Sequence, residues 1–288
     1  MKQKIGSIDM AKTLEELTIT DDFMFGAVMR NPRHCKPLLE LILNIKIRKI
    51  EYPELQKTVD ERFDSRGIRL DVYVEDDRNT VYDVEIQTSR FQNLPKRMRY
   101  YQSMLDIHSL NSGENYQRLK KSYIIFICTF DPFYAGRYLY TFENRCLEDS
   151  NLALGDETAK LVLNTKGQLG EISEELKQFL RYMDGQSPES KYAKELETAV
   201  TEIRTDEKWR RDFMLRFVRD REKMVLGGYV RTVALVRHNR FKSTPETLAD
   251  FLLISPGAVE EICATIDAHP DWDDEAVAEE VGGKMYFE

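Results

Sequence analysis

Asp83, Glu85 and Gln87 alternate along one short segment, and a lone acid, Asp71, stands fourteen residues before Glu85. Carboxylates grouped in this way can hold a hard divalent cation. Mg²⁺ is bound through one or two carboxylates while keeping several waters for chemistry or for substrate phosphates. The segment reads RLDVYVEDDRNTVYDVEIQ from Arg69 to Gln87. Period-2 alternation puts Leu70, Val72 and Val74 on one face of a first strand and Arg69, Asp71 and Tyr73 on the other. In the second strand Tyr82, Val84 and Ile86 face one way, and Asp83, Glu85 and Gln87 the other. Asp76, Asp77, Arg78 and Asn79 between them carry turn chemistry.

A hairpin centred on Arg78 pairs Asp71 with Glu85, Tyr73 with Asp83 and Arg69 with Gln87, and both apolar sets then share one face. Directly opposed carboxylates have Cβ atoms roughly 4.5–5.5 Å apart, and like charges so placed destabilise a sheet. A bound cation offsets that repulsion. A solvated outer sheet face accommodates the same acids without any ligand, and the pattern alone leaves both open.

The flanking sequence must supply the elements that hold this hairpin. DDFMFGAVMRNPRHCKPLLELILN predicts helix from Asp21 to about Asn44, broken near Asn31-Pro32, with Asp21 or Asp22 as its N-cap. IKIRKIEYPELQK predicts an extended edge strand alternating from Ile45 to Ile50 and interrupted at Pro53. After the hairpin a helix follows Pro95, which suits a first helical turn. Met98, Tyr101, Met104, Leu105 and His108 share its apolar face, while Lys96, Arg99 and Ser103 lie elsewhere. KSYIIFICTF is a buried strand by its continuous hydrophobicity, and YLYTFEN and KLVLN are candidates for further strands. The order α-β-β-β-α-β predicts an α/β fold with a mixed sheet flanked by helices. From Ile172 to about Val281 the pattern is helical, so the chain divides into an α/β core at 1–168 and an all-helical C-terminal region at 169–288.

With 288 residues, 42% of them hydrophobic, the chain can build a substantial core. Its longest uninterrupted apolar run lies within Tyr123–Cys128, far below the roughly 20 residues of a membrane helix. The first residues, MKQKIGSIDMAKTLEEL, lack a signal-peptide core, so a cytoplasmic protein without membrane contact is expected. Cys35, Cys128, Cys146 and Cys263 form no CxxC pair, and His34, His108, His238 and His269 no HExxH, which argues against zinc and disulfide chemistry. A net charge of −8 argues against a general nucleic-acid coat. Local basic clusters remain at Lys46/Arg48/Lys49, Lys96/Arg97/Arg99 and Arg118/Lys120/Lys121.

Asp71, the following Glu85-Ile86-Gln87 and the element order resemble the PD-(D/E)XK nuclease superfamily, with Gln87 where a lysine usually stands. TDDFMFGAVM, RLDVYV, YDVEIQ, RMRYYQSML and GENYQRLKKSYIIFICTFDPF, in that order from Thr20 to Phe133, resemble the Rpn family of recombination-promoting nucleases, often labelled transposases. The resemblance covers roughly the first 165 residues. It implies a PD-(D/E)XK nuclease-like core and a metal-dependent DNA endonuclease of low sequence specificity, linked to DNA recombination or mobile elements. Asp71, Glu85 and Gln87 would be the catalytic set, and Asp71, Glu85 and the backbone carbonyl of Ile86 the ligands of Mg²⁺ or Mn²⁺. Gln87 would orient the attacking water, although it can only hydrogen-bond where a lysine could supply charge and a proton. Arg69, Lys96 and Arg97 are the candidate DNA contacts. Asp83 reads either as an outer partner of a metal-bound water or as an exposed acid near the turn. Asp22 reads as an extra acid or as a helix cap. The alternative function is a catalytically weakened or inactive DNA-binding protein on a nuclease fold, and a homodimer is left open.

Overall fold

The computed structural model of the chain describes residues 12–52, 58–59, 68–69, 71–90, 93–110, 113–238 and 244–285. The predicted break at Asn31-Pro32 separates two helices, α1 (Asp22–Met29) and α2 (Pro32–Leu43). Asn31 caps α2 by accepting the Arg33 N–H, and Pro32 takes the first helical position, where no N–H is missed. Asp21 occupies the N-cap position of α1, but its carboxylate turns back to Thr18 and Lys12 instead of capping the helix.

The strands are β1 (Ile50–Glu51), β2 (Thr58–Val59), β3 (Ile68–Arg69), β4 (Val72–Asp76), β5 (Val81–Gln87), β6 (Ser122–Cys128), β7 (Leu139–Phe142) and β8 (Thr158–Asn164). Six form a mixed sheet in the order β1-β4-β5-β6-β8-β7, and β2 pairs with β3 separately. β4 and β5 are antiparallel with Val72 opposite Val84 and Tyr73 opposite Asp83, the register expected from a turn centred on Arg78. Helix α3 (Leu94–Ser109) then carries the chain to β6, which runs parallel to β5 with Gln87 beside Cys128. β8 is parallel to β6, and β7 closes the edge antiparallel to β8. Both of the weaker candidate segments are thus strands of the same sheet.

Two expectations for the edge are corrected. Ile45–Lys49 is not strand, because the Ile47 N–H goes to the Glu40 carboxylate at 2.8 Å and the Lys49 N–H to Asp77 at 3.3 Å, away from any ladder. Nor does one strand run from Arg69 to Val74. Arg69 pairs with Thr58, and the β4 ladder starts only at Val72, after Asp71 has given its N–H to a side chain. Leu70 and Pro53 lie outside the described residues.

All seven residues of β5 are buried, which decides the layering. On one face Val81, Tyr73, Ile124 and Phe126 pack with Leu94, Met98, Tyr101, Met104 and Leu105 of α3. Apart from Leu94, those helix residues are the predicted apolar stripe, of which the His108 side chain lies outside the described set. The opposite face meets α1, whose Phe23, Met24, Phe25, Ala27, Val28 and Met29 are all buried. A helix apolar on every side must lie between two layers. Its outer layer consists of α4 (Glu174–Met183) and α5 (Lys191–Thr205), which pack on α2 and α1. Tyr192 of α5 donates to the His34 carbonyl at 2.7 Å, and Arg204 donates to the Leu17 carbonyl at 2.6 and 3.0 Å.

By backbone contact the chain forms two compact units, Met1–Arg210 and Arg211–Glu288. The sequence suggested a division at 168/169; α4 and α5 belong to the first of these units. Helix α6 (Glu207–His238) starts in the first unit and continues into the second, which also holds α7 (Pro245–Leu252), α8 (Pro256–Ala268) and α9 (Asp274–Met285). The second unit packs around Leu226, Val230, Val233, Leu248, Val259 and Ile262. The whole is a mixed α/β fold with helices on both sides of a six-stranded sheet and a helical C-terminal part. No helix among the described residues is long and apolar enough to cross a membrane.

Candidate active site

Strand β5 brings Asp83, Glu85 and Gln87 to the face covered by α3, and Asp71 meets them from the start of β4. These acids do not line a solvated sheet face. Asp83 is fully buried, Glu85 is 3% exposed and Gln87 5% exposed, and Asp71 is half-buried.

Asp71 and Glu85 are interlocked. The Asp71 backbone N–H donates to Glu85 Oε1 at 2.9 Å, and the Ile86 backbone N–H donates to Asp71 Oδ2 at 3.1 Å. Each carboxylate thus has one oxygen oriented by a main-chain amide. The register that fixes Val72 opposite Val84 carries the chain on to this contact. From the other side Gly26 of α1 presses on the same segment: a Cβ there would lie 3.2 Å from the Asp71 carbonyl oxygen.

Asp83 is the anomaly. Neither of its oxygens meets a hydrogen-bond donor. The group it faces is the Glu85 carboxyl, which is itself an acceptor when ionised. Burial, and next the charge of Asp71, push the Asp83 carboxyl well above the usual carboxylate range. Burial likewise raises Glu85 well above it, with Asp71 and Asp83 adding repulsion. A buried carboxylate without a partner costs several kcal/mol or takes up a proton.

Arg97 is the cation set against these acids. Its guanidinium donates to Gln87 Oε1 at 2.5 Å and to the Tyr101 hydroxyl at 2.9 Å, and lies 3.6 Å from Glu85 Oε2. It also sits 5.3 Å from the ring centroids of Tyr101 and Phe126. Burial works to lower its pKa, and the surrounding oxygens of Tyr101, Glu85 and Asp71 outweigh that and raise it. Tyr101 is pushed up to about 12, by burial first and the Glu85 charge next. The Gln87 amide is engaged at both ends, because Nε2 donates to the Ser89 carbonyl at 2.7 Å and reaches Ser89 Oγ at 3.2 Å.

Of the predicted site residues, Asp71, Glu85, Ile86, Gln87 and Arg97 come together here. Lys96 does not: it is exposed on the neighbouring face of α3. Arg69 lies in β3 and its side chain is outside the described set. Asp22 is exposed on the first turn of α1 and accepts the Phe23 N–H. Other predicted basic clusters are partly matched by acids, as in Lys46 with Glu40, Lys49 with Glu51, Lys120 with Glu75 and Arg118 with Glu114. Ser89 joins the site unexpectedly, and Tyr101, assigned by its spacing to the apolar face of α3, also turns its hydroxyl to Arg97. The four-residue spacing of Arg97 and Tyr101 on one helix was the available signal for the second.

The residues fit a divalent cation of the kind that takes one or two carboxylates and completes its shell with backbone oxygen and water. Two oriented carboxylates lie next to a third that has no donor, a surplus of buried negative charge that a cation would satisfy. Among the described residues no three Asp, Glu, His or Cys side chains converge on one ion position, so such a cation would rest on fewer side chains than a dedicated protein cage.

A mixed sheet with the acid pair spanning an antiparallel hairpin, closed by a helix and a parallel strand, defines a PD-(D/E)XK nuclease-like fold. Residues 22–154 match the family described as PD-(D/E)XK nuclease family transposase. Neither the search of curated proteins nor the search of solved structures gave a match. The matched stretch contains every residue of the acidic cluster together with α1, α3 and β6.

Proposed function

We propose that the chain is a divalent-cation-dependent DNA endonuclease of low sequence preference, serving DNA recombination or mobile elements. The observation that carries this reading is the interlocked pair of Asp71 and Glu85 beside the donorless Asp83. Asp71, Glu85 and the Ile86 carbonyl would hold Mg²⁺ or Mn²⁺. Such an ion, when bound, would lower the pKa of water and neutralise charge on a phosphodiester.

The protein's own part is orientation and electrostatics. Main-chain amides fix one oxygen of each carboxylate, and α3 shields the cluster from bulk water. Arg97 places a permanent positive charge where a phosphate would approach. In hydrolysis a water oxygen bonds to phosphorus as one bridging P–O bond breaks, and the departing oxygen ends with a proton. Arg69 and Lys96 would extend the contact along the DNA backbone, where positive side chains position a duplex without reading its sequence. We place the enzyme in the cytoplasm and leave room for a homodimer.

The second reading is a DNA-binding protein on a weakened nuclease fold. It is favoured by Gln87, whose amide is committed to Arg97 and Ser89. Incubating the purified chain with supercoiled and linear DNA under Mg²⁺, Mn²⁺ or chelator separates the two. Metal-dependent cleavage lost in Asp71→Ala and Glu85→Ala is the expected result. Retained DNA binding with no cleavage under either metal would reverse the order of the two readings.

A further inference from the structure

The residue at position 87 is an amide where a cation is usual, and it holds a cation of its own. Gln87 Oε1 accepts from Arg97 at 2.5 Å, while Nε2 is directed at both oxygens of Ser89. Neither Gln87 donor points at the acids. The Arg97 guanidinium is fixed by Gln87 on one side and the Tyr101 hydroxyl on another, within 3.6 Å of Glu85. With its side chain 29% exposed, it reaches from the buried acids towards the accessible rim.

We propose that Arg97 supplies, from α3, the positive charge that acts on the scissile phosphate, and that Gln87 is the positioning residue that holds the guanidinium there. The proposal rests on the nuclease reading and deepens it. A guanidinium presents five N–H groups in a planar fork that matches phosphate oxygens bidentately and stays charged at every working pH. Gln87 and Tyr101 engage part of that fork, and Nη2 lies 3.6 Å from Glu85 Oε2. Because guanidinium does not surrender a proton, the contribution is electrostatic and the proton of the attacking water must go elsewhere. A plain neutralising role for Arg97 accounts for the Glu85 contact alone. It does not account for a neutral amide spending its acceptor on the same group.

The test moves the charge. Cleavage by wild type is measured with Arg97→Ala, Arg97→Met, Gln87→Ala and the double variant Gln87→Lys/Arg97→Ala, with folding followed by circular dichroism and thermal melting. Arg97→Met keeps the aliphatic stem over Phe126 and so remains informative if the alanine variant does not fold. Removing Arg97 is expected to lower kcat on the order of 100-fold with KM changed less than about threefold, as for loss of one preorganised donor at a developing charge. Gln87→Ala is expected to lower kcat by about tenfold. The double variant should recover at least about tenfold over Arg97→Ala, since a lysine on β5 can put an ammonium in the same locus. Titration with Mn²⁺ alone gives a second readout. Loss of a neighbouring cation should leave Mn²⁺ affinity equal or tighter.

A loss confined to KM, a double variant no faster than the single one, or weaker Mn²⁺ binding without Arg97 overturns the proposal. Absence of cleavage by wild type under both metals is a separate outcome, which removes the nuclease reading and the proposal with it.

Discussion

Asp71 gives its backbone N–H to the Glu85 carboxylate and, with its own carboxylate, takes the N–H of the residue after Glu85. This reciprocal contact separates geometry from charge. An asparagine at position 71 keeps an acceptor for the Ile86 amide but loses the charge. Asp71→Asn should therefore melt within a few degrees of wild type while Mn²⁺ affinity and cleavage fall, each on the order of 100-fold. Calorimetric titration and a plasmid-nicking assay read the two losses. Unchanged Mn²⁺ affinity would show that Asp71 is only a structural lock.

Asp83 costs the fold stability, because a buried carboxyl without a donor must either carry an unpartnered charge or hold a proton. An amide there can donate to Glu85. Asp83→Asn is expected to raise unfolding stability by about 1–3 kcal/mol at pH 8 in the presence of chelator, the usual scale for removing an unsatisfied buried group. Urea denaturation measures it, and a destabilised variant would contradict the assignment.

The same acids set a pH dependence. Their folded-state values are raised, Asp83 from an ordinary 3.8 and Glu85 from 4.5. Their contribution to stability is therefore complete below those ordinary values and is lost as pH rises towards the raised ones. In chelator the urea midpoint should fall between pH 5 and pH 8, and the Asp83→Asn/Glu85→Gln variant should show a flatter profile. Equal slopes in the two proteins would assign the effect to other groups.

Gly26 lies where α1 crosses behind Asp71, and an added methyl would meet the Asp71 carbonyl oxygen at 3.2 Å. Alanine improves helix propensity by about 1 kcal/mol, which offsets the crowding. Gly26→Ala should melt near wild type yet cleave DNA on the order of tenfold more slowly, since small displacements of positioned groups are costly. Full activity in this variant would mean that the neighbouring backbone yields without moving Asp71.

Asp131 follows the opposite sign. Its carboxylate accepts the N–H groups of Phe133, Tyr134 and Gly136 and the Tyr140 hydroxyl. These bonds outweigh its partial burial and hold it below the ordinary 3.8, so its contribution is present above that value and lost as pH falls through the lowered one. The loop it ties keeps Tyr134 at φ 56°, a left-handed conformation unusual for a bulky residue. Asp131→Ala should cost about 2–3 kcal/mol in urea denaturation, the scale of hydrogen bonds to a charged acceptor. A cost below 0.5 kcal/mol (about half of a typical neutral hydrogen bond) would show that the loop holds itself.

Local periodicity made much of this legible. The helix break at Asn31-Pro32, the apolar stripe of α3 and the hairpin register follow from spacings of three, four and two residues, and each is found in the structure. Alternation could not report that both faces of β5 are covered, because a polar residue reads as outward-facing unless its partner is known. The partner here is an arginine on a helix that returns over the sheet. The edge strand failed for a similar reason: Glu40 and Asp77 take up amides that the pattern assigned to a ladder. The acid pair itself was legible from the turn centre alone. The engagement of Gln87 by Ser89 and Arg97 was not, since it depends on how tightly a loop folds back and where a helix lands.

Strand β5 is bonded on both edges and covered on both faces. Asp83, Glu85 and Gln87 therefore do not sit on a detachable loop that could be exchanged while the scaffold stays put. Exposed residues such as Lys96 are free to drift without disturbing the sheet. Any change in the chemistry, by contrast, requires rebuilding the centre of the molecule, so innovation at this site is tied to survival of the fold.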